Sequence, residues 1–259
     1  MLPLRDRLPS RTVPYVNYLL LAANVLAFLW MRSAIAAGYP AEQLVFDWGL
    51  VPARLVRDPA GEAVTVLSSM FMHDPGGWLH IAGNMLFLWI FGDNVEDALG
   101  HARYLAFYVL CGVGAAGAQL LIDPSSRIPM VGASGAISGV LAAYATLYPR
   151  SPILLLNPIL PLWLFLGVFF ELPAWAVILE YFVVNLFNGI ASLGTQGGGV
   201  AFFAHLGGFV LGLFAVRVFV KATEERQRRQ QLTWDGWRPP QRFPQRRPGQ
   251  PRGRDPWAW

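Results

Sequence analysis

The stretch Pro129-Met-Val-Gly-Ala-Ser-Gly-Ala-Ile-Ser-Gly139 places a serine, Ser134, between small residues where a hydrophobic helix is predicted to begin. Glycine on either side lets other groups approach closely, and the N–H groups at a helix start can receive an oxyanion. The pattern therefore favours a nucleophilic serine. Taken alone it has a second interpretation, because small residues at this spacing also pack membrane helices against each other. The residues that accompany Ser134 elsewhere in the chain decide between the two.

The composition is that of a membrane protein. Of the 259 residues, 54% are hydrophobic and only 14% are charged, whereas a soluble domain carries about 25% charged residues. Several apolar runs reach the roughly 17–25 residues that a helix needs to cross a bilayer. The chain is therefore predicted to span a membrane several times.

Cysteine content and charge exclude other classes of protein. The single cysteine, Cys111, rules out an intramolecular disulfide and a cysteine-based zinc site. The basic character is confined to the tail, where residues 221–259 carry ten basic and four acidic side chains. We interpret this charge as a topology signal that could also bind anionic lipids, and we predict no nucleic-acid partner.

The apolar runs predict six membrane-spanning helices. They cover approximately residues 15–37, 78–95, 103–122, 134–148, 174–188 and 201–220. The connection 38–77 is predicted to lie at the membrane interface, and the short fourth span indicates that the loop before it dips into the protein. Residues 151–172 are apolar but interrupted by prolines, so they suit either a further span or an interfacial segment.

The distribution of basic residues selects six spans rather than seven. Short basic flanks favour the cytoplasm. Six spans place the N-terminal segment 1–14, Arg103, Arg150 and the tail 221–259 all on the cytoplasmic side. A seventh span would place the tail on the opposite side of the membrane. We therefore predict an all-α membrane domain over 15–220 with both termini cytoplasmic, followed by a disordered Arg/Pro/Gln-rich tail.

Three polar residues are predicted to lie at similar depth. Spans two, four and six run in the same direction; His80 lies in the first turn of span two, Ser134 begins span four, and His205 comes early in span six. An imidazole is well suited to take a serine proton and to return it to a leaving amine. Gly208 and Gly212 form a GxxxG pair that would let spans four and six approach closely.

His80 and Asn84 share one helix face, being four residues apart. Both side chains can donate hydrogen bonds to a carbonyl oxygen that becomes an oxyanion, although a polar pair of this kind can also join two helices. A metal site built from His73, His80 and His205 is a further option, which we disfavour. We predict neither a metal nor a cofactor.

Taken together, the motifs resemble those of the rhomboid intramembrane serine proteases. They are His80-Ile-Ala-Gly-Asn84, Gly92-Asp-Asn-Val-Glu96-Asp-Ala-Leu-Gly100, Gly132-Ala-Ser134-Gly135 and Ala204-His205-Leu-Gly-Gly208. Four such motifs in the correct order and on the correct spans are highly specific. The similarity covers roughly residues 15–220.

The resemblance implies a six-helix rhomboid-like bundle with a Ser–His dyad. Ser134 would be the nucleophile, His205 the general base and then general acid, and His80, Asn84 and the Ser134 backbone N–H the oxyanion hole. Substrates would be transmembrane proteins, cleaved in or beside a membrane helix, with span five as a side gate. The structural motif residues would be Gly92, Glu96, Gly100, Gly132, Gly135, Gly208 and Gly212.

This sequence departs from the family pattern at Ser138, where some members have an aromatic side chain that stacks on the histidine. The resemblance therefore leaves the orientation of His205 open, and Ser138 itself is interpreted as a packing residue. A non-proteolytic relative that binds membrane-protein clients is the main alternative. A transporter would predict an internal repeat, which the sequence lacks. The arginine bias favours a bacterial inner membrane, and neither the natural substrate nor the oligomeric state is indicated.

Overall fold

A computed structural model describes residues 2–157, 167–192 and 202–220 of the protein. This part of the chain contains nine α-helices and three β-strands. The helices are α1 (Tyr15–Ala36), α2 (Ala41–Trp48), α3 (Pro52–Arg57), α4 (Ala63–Ser68), α5 (Trp78–Leu99), α6 (His101–Ile122), α7 (Ser134–Leu147), α8 (Ala174–Ser192) and α9 (Phe202–Phe219); the strands are β1 (Leu2–Asp6), β2 (Pro152–Leu156) and β3 (Phe169–Pro173). The predicted disordered tail, 221–259, lies outside the described residues.

Six of the described helices, α1 and α5 to α9, form the bundle, and they lie where the apolar runs predict them. Three of the described helices, α1, α6 and α9, are long and apolar enough to cross a membrane, and α7 and α8 are shorter apolar helices. The protein is thus a mostly helical integral membrane protein. The short α7 is the central helix, because nearly all of its side chains are buried. It packs against α5, α6 and α9, while α8 lies at the side against α9 and α7.

The three strands correct the all-α prediction. They form one antiparallel sheet in the order β1-β2-β3, which joins the N-terminal segment to the chain on either side of residues 158–166. Residues 151–172 were predicted as a span or an interfacial segment; β2 and β3 lie at its two ends, and 158–166 lie outside the described residues. Periodicity does not distinguish a short apolar strand from a buried helix, and the prolines here disfavour a helix.

Glycines bring α7 and α9 into backbone contact. A Cβ atom added at Gly208 would lie 2.0 Å from the carbonyl oxygen of Gly135, and one at Gly212 would lie 2.6 Å from the Cα of Gly139. Neither helix has room for a larger residue at these points. The GxxxG pair on α9 therefore meets a second pair of small residues on α7, which sets the distance between the two helices.

The end of α5 holds the start of α1. Glu96 is fully buried, and its two carboxylate oxygens accept hydrogen bonds from the backbone N–H groups of Val16 (3.0 Å) and Asn17 (2.7 Å). These are among the donors that have no partner within helix α1. Gly92 leaves room for the Asn17 side chain, and Gly100, at φ +83°, turns the chain from α5 into α6.

Replacing Glu96 by glutamine is expected to lower the free energy of unfolding by about 2 kcal/mol, because the amide loses the charge and one of the two acceptors that a carboxylate offers. Unfolding of the purified protein in mixed micelles, followed by circular dichroism, measures the change. Glu42→Gln, at an exposed position in the first turn of α2, is the control and should lower the free energy of unfolding by less than about 1 kcal/mol. An equal effect of both variants would contradict the capping role.

Candidate active site

The loop before Ser134 is held by backbone hydrogen bonds to the connection 38–77. Leu50 and Met130 exchange two such bonds, of 3.0 and 2.7 Å, and the Gly132 N–H donates to the Ser69 carbonyl at 2.9 Å. The loop therefore enters the protein fixed on one side before α7 begins. This places Ser134 at the first turn of α7, where backbone N–H groups have no partner within the helix.

Ser134 and His205 are in hydrogen-bond contact. The distance from His205 Nε2 to Ser134 Oγ is 2.7 Å. Both residues are half-buried, so the pair is partly accessible. The contact depends on the glycines that bring α7 and α9 together, because Ser134 precedes Gly135 directly and His205 lies one turn before Gly208.

His80 faces the same space from α5. A Cβ atom built on Gly132, whose φ is +128°, would lie 3.0 Å from His80 Nε2 and 3.4 Å from Ser134 Oγ. The missing Cβ of Gly132 thus leaves a gap between the imidazole and the hydroxyl. The Asp74 N–H donates to His80 Nδ1 at 3.4 Å, which assigns the imidazole proton to Nε2, the nitrogen that faces the gap.

Asn84 lies one turn further along α5. Its side-chain amide is buried and donates to the His80 carbonyl at 3.0 Å. The structure thus brings Ser134, His205 and His80 together, whereas the described hydrogen bond of Asn84 is made within its own helix. A second hydrogen of the Asn84 amide is left for another acceptor.

His73 lies beside His80, with ring centroids 5.2 Å apart. It is fully buried, and its Nδ1 lies 3.2 Å from the Phe71 carbonyl. Burial and the neighbouring His80 lower the pKa of His73 to about 4, so this imidazole is neutral at pH 7. Among the residues that the structure describes, no group of three or more histidine, cysteine or acidic side chains could hold a metal ion.

Two side chains on α8, Asn185 and Tyr181, join the site without having been predicted. Asn185 Oδ1 lies 2.6 Å from His205 Nδ1, and the Tyr181 hydroxyl lies 2.7 Å from Ser138 Oγ. Ser138 also donates to the Ser134 carbonyl at 2.7 Å. The sequence held a signal for them, because Tyr181 and Asn185 are one helical turn apart in an apolar segment and so share a face.

A family model of the Rhomboid domain matches residues 60–222, more than half of the chain. The chain belongs to the rhomboid family. This confirms the resemblance that the four motifs carry. The matched region contains Ser134, His205, His80 and Asn84, and also Tyr181 and Asn185.

Rhomboid relatives with curated names come from several kinds of organism. The chain is 29% identical to Rhomboid protein 1, mitochondrial, of Saccharomyces cerevisiae, over 83% of this chain and 56% of that protein. It is 28% identical to Rhomboid protease GluP of Bacillus subtilis, over 78% of this chain and 34% of that protein. The presenilin-associated rhomboid-like protein, mitochondrial, of Mus musculus is 30% identical over 68% of this chain and 46% of that protein. The chain thus spans about half or less of the length of these rhomboid relatives.

Replacing Gly132 by alanine should fill the gap between His80 and Ser134. For the serine-protease chemistry that the resemblance implies, we expect a loss of cleavage rate of about 10²-fold, comparable to the loss of one oxyanion donor. The matched control is Gly38→Ala, because Gly38 also has a positive φ, of +98°, but no atom within 4 Å of an added Cβ. The cleavage rates of the two variants are measured in liposomes. If both lose activity equally, backbone strain and not the filled gap is responsible.

Proposed function

We propose that this rhomboid is an intramembrane serine endopeptidase that cleaves peptide bonds in or next to transmembrane helices of other membrane proteins. The observation that carries the proposal is the 2.7 Å contact between Ser134 Oγ and His205 Nε2. A hydroxyl hydrogen-bonded to an imidazole is the arrangement that nucleophilic acyl transfer requires. The printed name of the Bacillus subtilis relative, Rhomboid protease GluP, supports the same chemistry.

In this mechanism His205 takes the proton of Ser134 while Ser134 Oγ bonds to the carbonyl carbon of the scissile peptide. The carbonyl oxygen becomes an oxyanion, which the Nε2–H of His80, the Asn84 amide and the Ser134 backbone N–H would stabilise. His205 then gives its proton to the leaving amine, which leaves an acyl ester on Ser134. Water, activated by His205, hydrolyses that ester and restores the serine. No metal or cofactor takes part.

For the topology we propose six crossings, made by α1, α5, α6, α7, α8 and α9, with both termini in the cytoplasm. The sequence supports this arrangement, because six crossings place Arg103, Arg150, the basic N-terminal segment and the basic tail all on the cytoplasmic side. The bacterial inner membrane remains our prediction for the location, and the relatives come from a bacterium as well as from mitochondria. The basic tail would face anionic lipids of the inner leaflet.

The experiment that tests the proposed function uses the purified protein in liposomes with a fluorogenic peptide that spans the membrane. We expect slow cleavage at one or a few bonds, which mass spectrometry of the products locates. If the folded protein cleaves none of several such peptides and reacts with no serine-directed fluorophosphonate, the proposal fails. Capture of intact membrane proteins without cleavage would then favour a client-binding rhomboid.

A further inference from the structure

Asn185 holds the nitrogen of His205 that does not face Ser134. Its Oδ1 lies 2.6 Å from His205 Nδ1, and its Nδ2 donates to the Tyr181 carbonyl, one turn back along α8, at 2.8 Å. Asn185 is buried, so water does not compete for these bonds. The side chain therefore links helix α8 to the imidazole on α9.

The second bond of Asn185 fixes the direction of the first. Because Nδ2 donates to the Tyr181 carbonyl, Oδ1 is the amide atom that faces His205, and an amide oxygen only accepts hydrogen bonds. His205 must then carry its proton on Nδ1. A flipped amide would place Oδ1 against the Tyr181 carbonyl oxygen, where the two oxygens repel each other. It would gain no additional hydrogen bond to His205 on α9. With the proton on Nδ1, the lone pair of Nε2 points at Ser134 Oγ, as a general base requires.

Tyr181 supports the same imidazole from one side. The two rings are 6.3 Å apart between centroids and inclined by 33°, and the Tyr181 hydroxyl is hydrogen-bonded to Ser138 on α7. Ser138 occupies the position where the family resemblance leads us to expect an aromatic residue. Here the aromatic side chain comes from α8 instead, and the small Ser138 makes space for it and anchors its hydroxyl.

We propose that Asn185 is a positioning residue, which holds His205 in the Nδ1–H tautomer and aims Nε2 at Ser134. Asn185 would thereby take the part that a buried carboxylate plays in a serine–histidine–aspartate triad, with a neutral amide suited to an apolar helix. The proposal rests on the proposed function, since it assigns a role within the same reaction. It also makes α8 part of the catalytic geometry, because the amide lies on α8 and the base on α9.

Two variants whose side chains have the same number of non-hydrogen atoms as asparagine test the proposal. Asn185→Leu removes the acceptor, whereas Asn185→Asp keeps an oxygen at the same place. We expect the leucine variant to lose about 10- to 100-fold in rate and the aspartate variant to retain most of it. A packing role predicts the reverse order, because an apolar helix accepts leucine more readily than a charge. Asn24→Leu is the matched control: Asn24 is also buried and donates to a carbonyl one turn back at 2.8 Å, but it lies on α1.

The rate is measured in liposomes with a fluorophosphonate as well as with the transmembrane peptide. In the labelling step a bond forms between Ser134 Oγ and phosphorus, fluoride leaves, and His205 takes the hydroxyl proton. The labelling rate does not depend on how a long peptide substrate enters the site. Equal labelling of wild type and Asn185→Leu, or an aspartate variant as slow as the leucine variant, would overturn the proposal. Absence of both labelling and peptide cleavage in the wild type would instead refute the proposed function.

Nitrogen NMR of the histidines supplies a readout that packing alone would not move. The chain has only four histidines, so the His205 signals can be assigned by their loss in His205→Gln. We expect a single Nδ1–H tautomer in the wild type and in Asn24→Leu, and a mixture of tautomers in Asn185→Leu. An unchanged tautomer in Asn185→Leu would overturn the assignment of Asn185.

Discussion

Ser134→Ala is expected to reduce peptide cleavage in liposomes by at least about 10³-fold, because it removes the oxygen that would form the acyl intermediate. His205→Ala should reduce it to a similar extent, since residues that act as one unit lose nearly the full effect singly. Ser134→Ala removes a single oxygen atom, and His205, where alanine removes the whole imidazole ring, is only half-buried. The loss should therefore appear in kcat with the fold retained.

Ser138→Ala is the control matched to Ser134→Ala. The same atom is removed one turn further along α7, from a hydroxyl that is already engaged by the Ser134 carbonyl and the Tyr181 hydroxyl. We expect no more than about a tenfold loss from the weakened support of Tyr181. If the Ser138 variant is inactive and the Ser134 variant still cleaves, the nucleophile has been assigned to the wrong serine.

Gly208→Ala is expected to have the largest effect on stability. The added Cβ would lie 2.0 Å from the Gly135 carbonyl oxygen, a backbone atom that cannot rotate away. Helices α7 and α9 would have to separate by an ångström or more, which we expect to lower the free energy of unfolding by about 3 kcal/mol. The same separation draws His205 away from Ser134, and a displacement of this size can reduce the rate by about 10².

Gly117→Ala on α6 is the matched control for packing, because an added Cβ there has no atom within 4 Å. Alanine is the better helix former, so this variant should be as stable as the wild type or slightly more stable. Unfolding in mixed micelles and cleavage in liposomes measure both quantities. Equal stability of the two variants would contradict the close contact of α7 and α9.

The positions of the long helices could be predicted because a bilayer imposes a minimum apolar length. Helix α7 begins at Ser134, and α5 and α8 begin at Trp78 and Ala174, as the apolar runs and prolines indicate. The order of the motifs along the spans also indicated which side chains could meet. The helix positions and the order of the motifs could be predicted from the local sequence pattern alone, without knowledge of contacts between distant residues.

The sheet and Asn185 were missed because each depends on partners far away in the sequence. The strand β1 pairs with β2 some 150 residues further along, from Leu2 to Leu156, and no local pattern announces such a pairing. Asn185 was visible as a polar residue in an apolar helix. Its role depends on the rotation of α8 about its own axis, which the weak periodicity of a nearly uniformly apolar segment does not determine.

The carboxylate of Glu96 has a consequence for the order of events during synthesis. The N–H groups at the start of α1 that donate to Glu96 are made about 80 residues before Glu96. Strand β1 and its partner β2 are separated by a still longer stretch of chain. Until Glu96 has been made, the first N–H groups of α1 lack the carboxylate that caps them. Residues 2–17 are therefore made well before the residues that fix them, and they reach their final place only after β2 has been made.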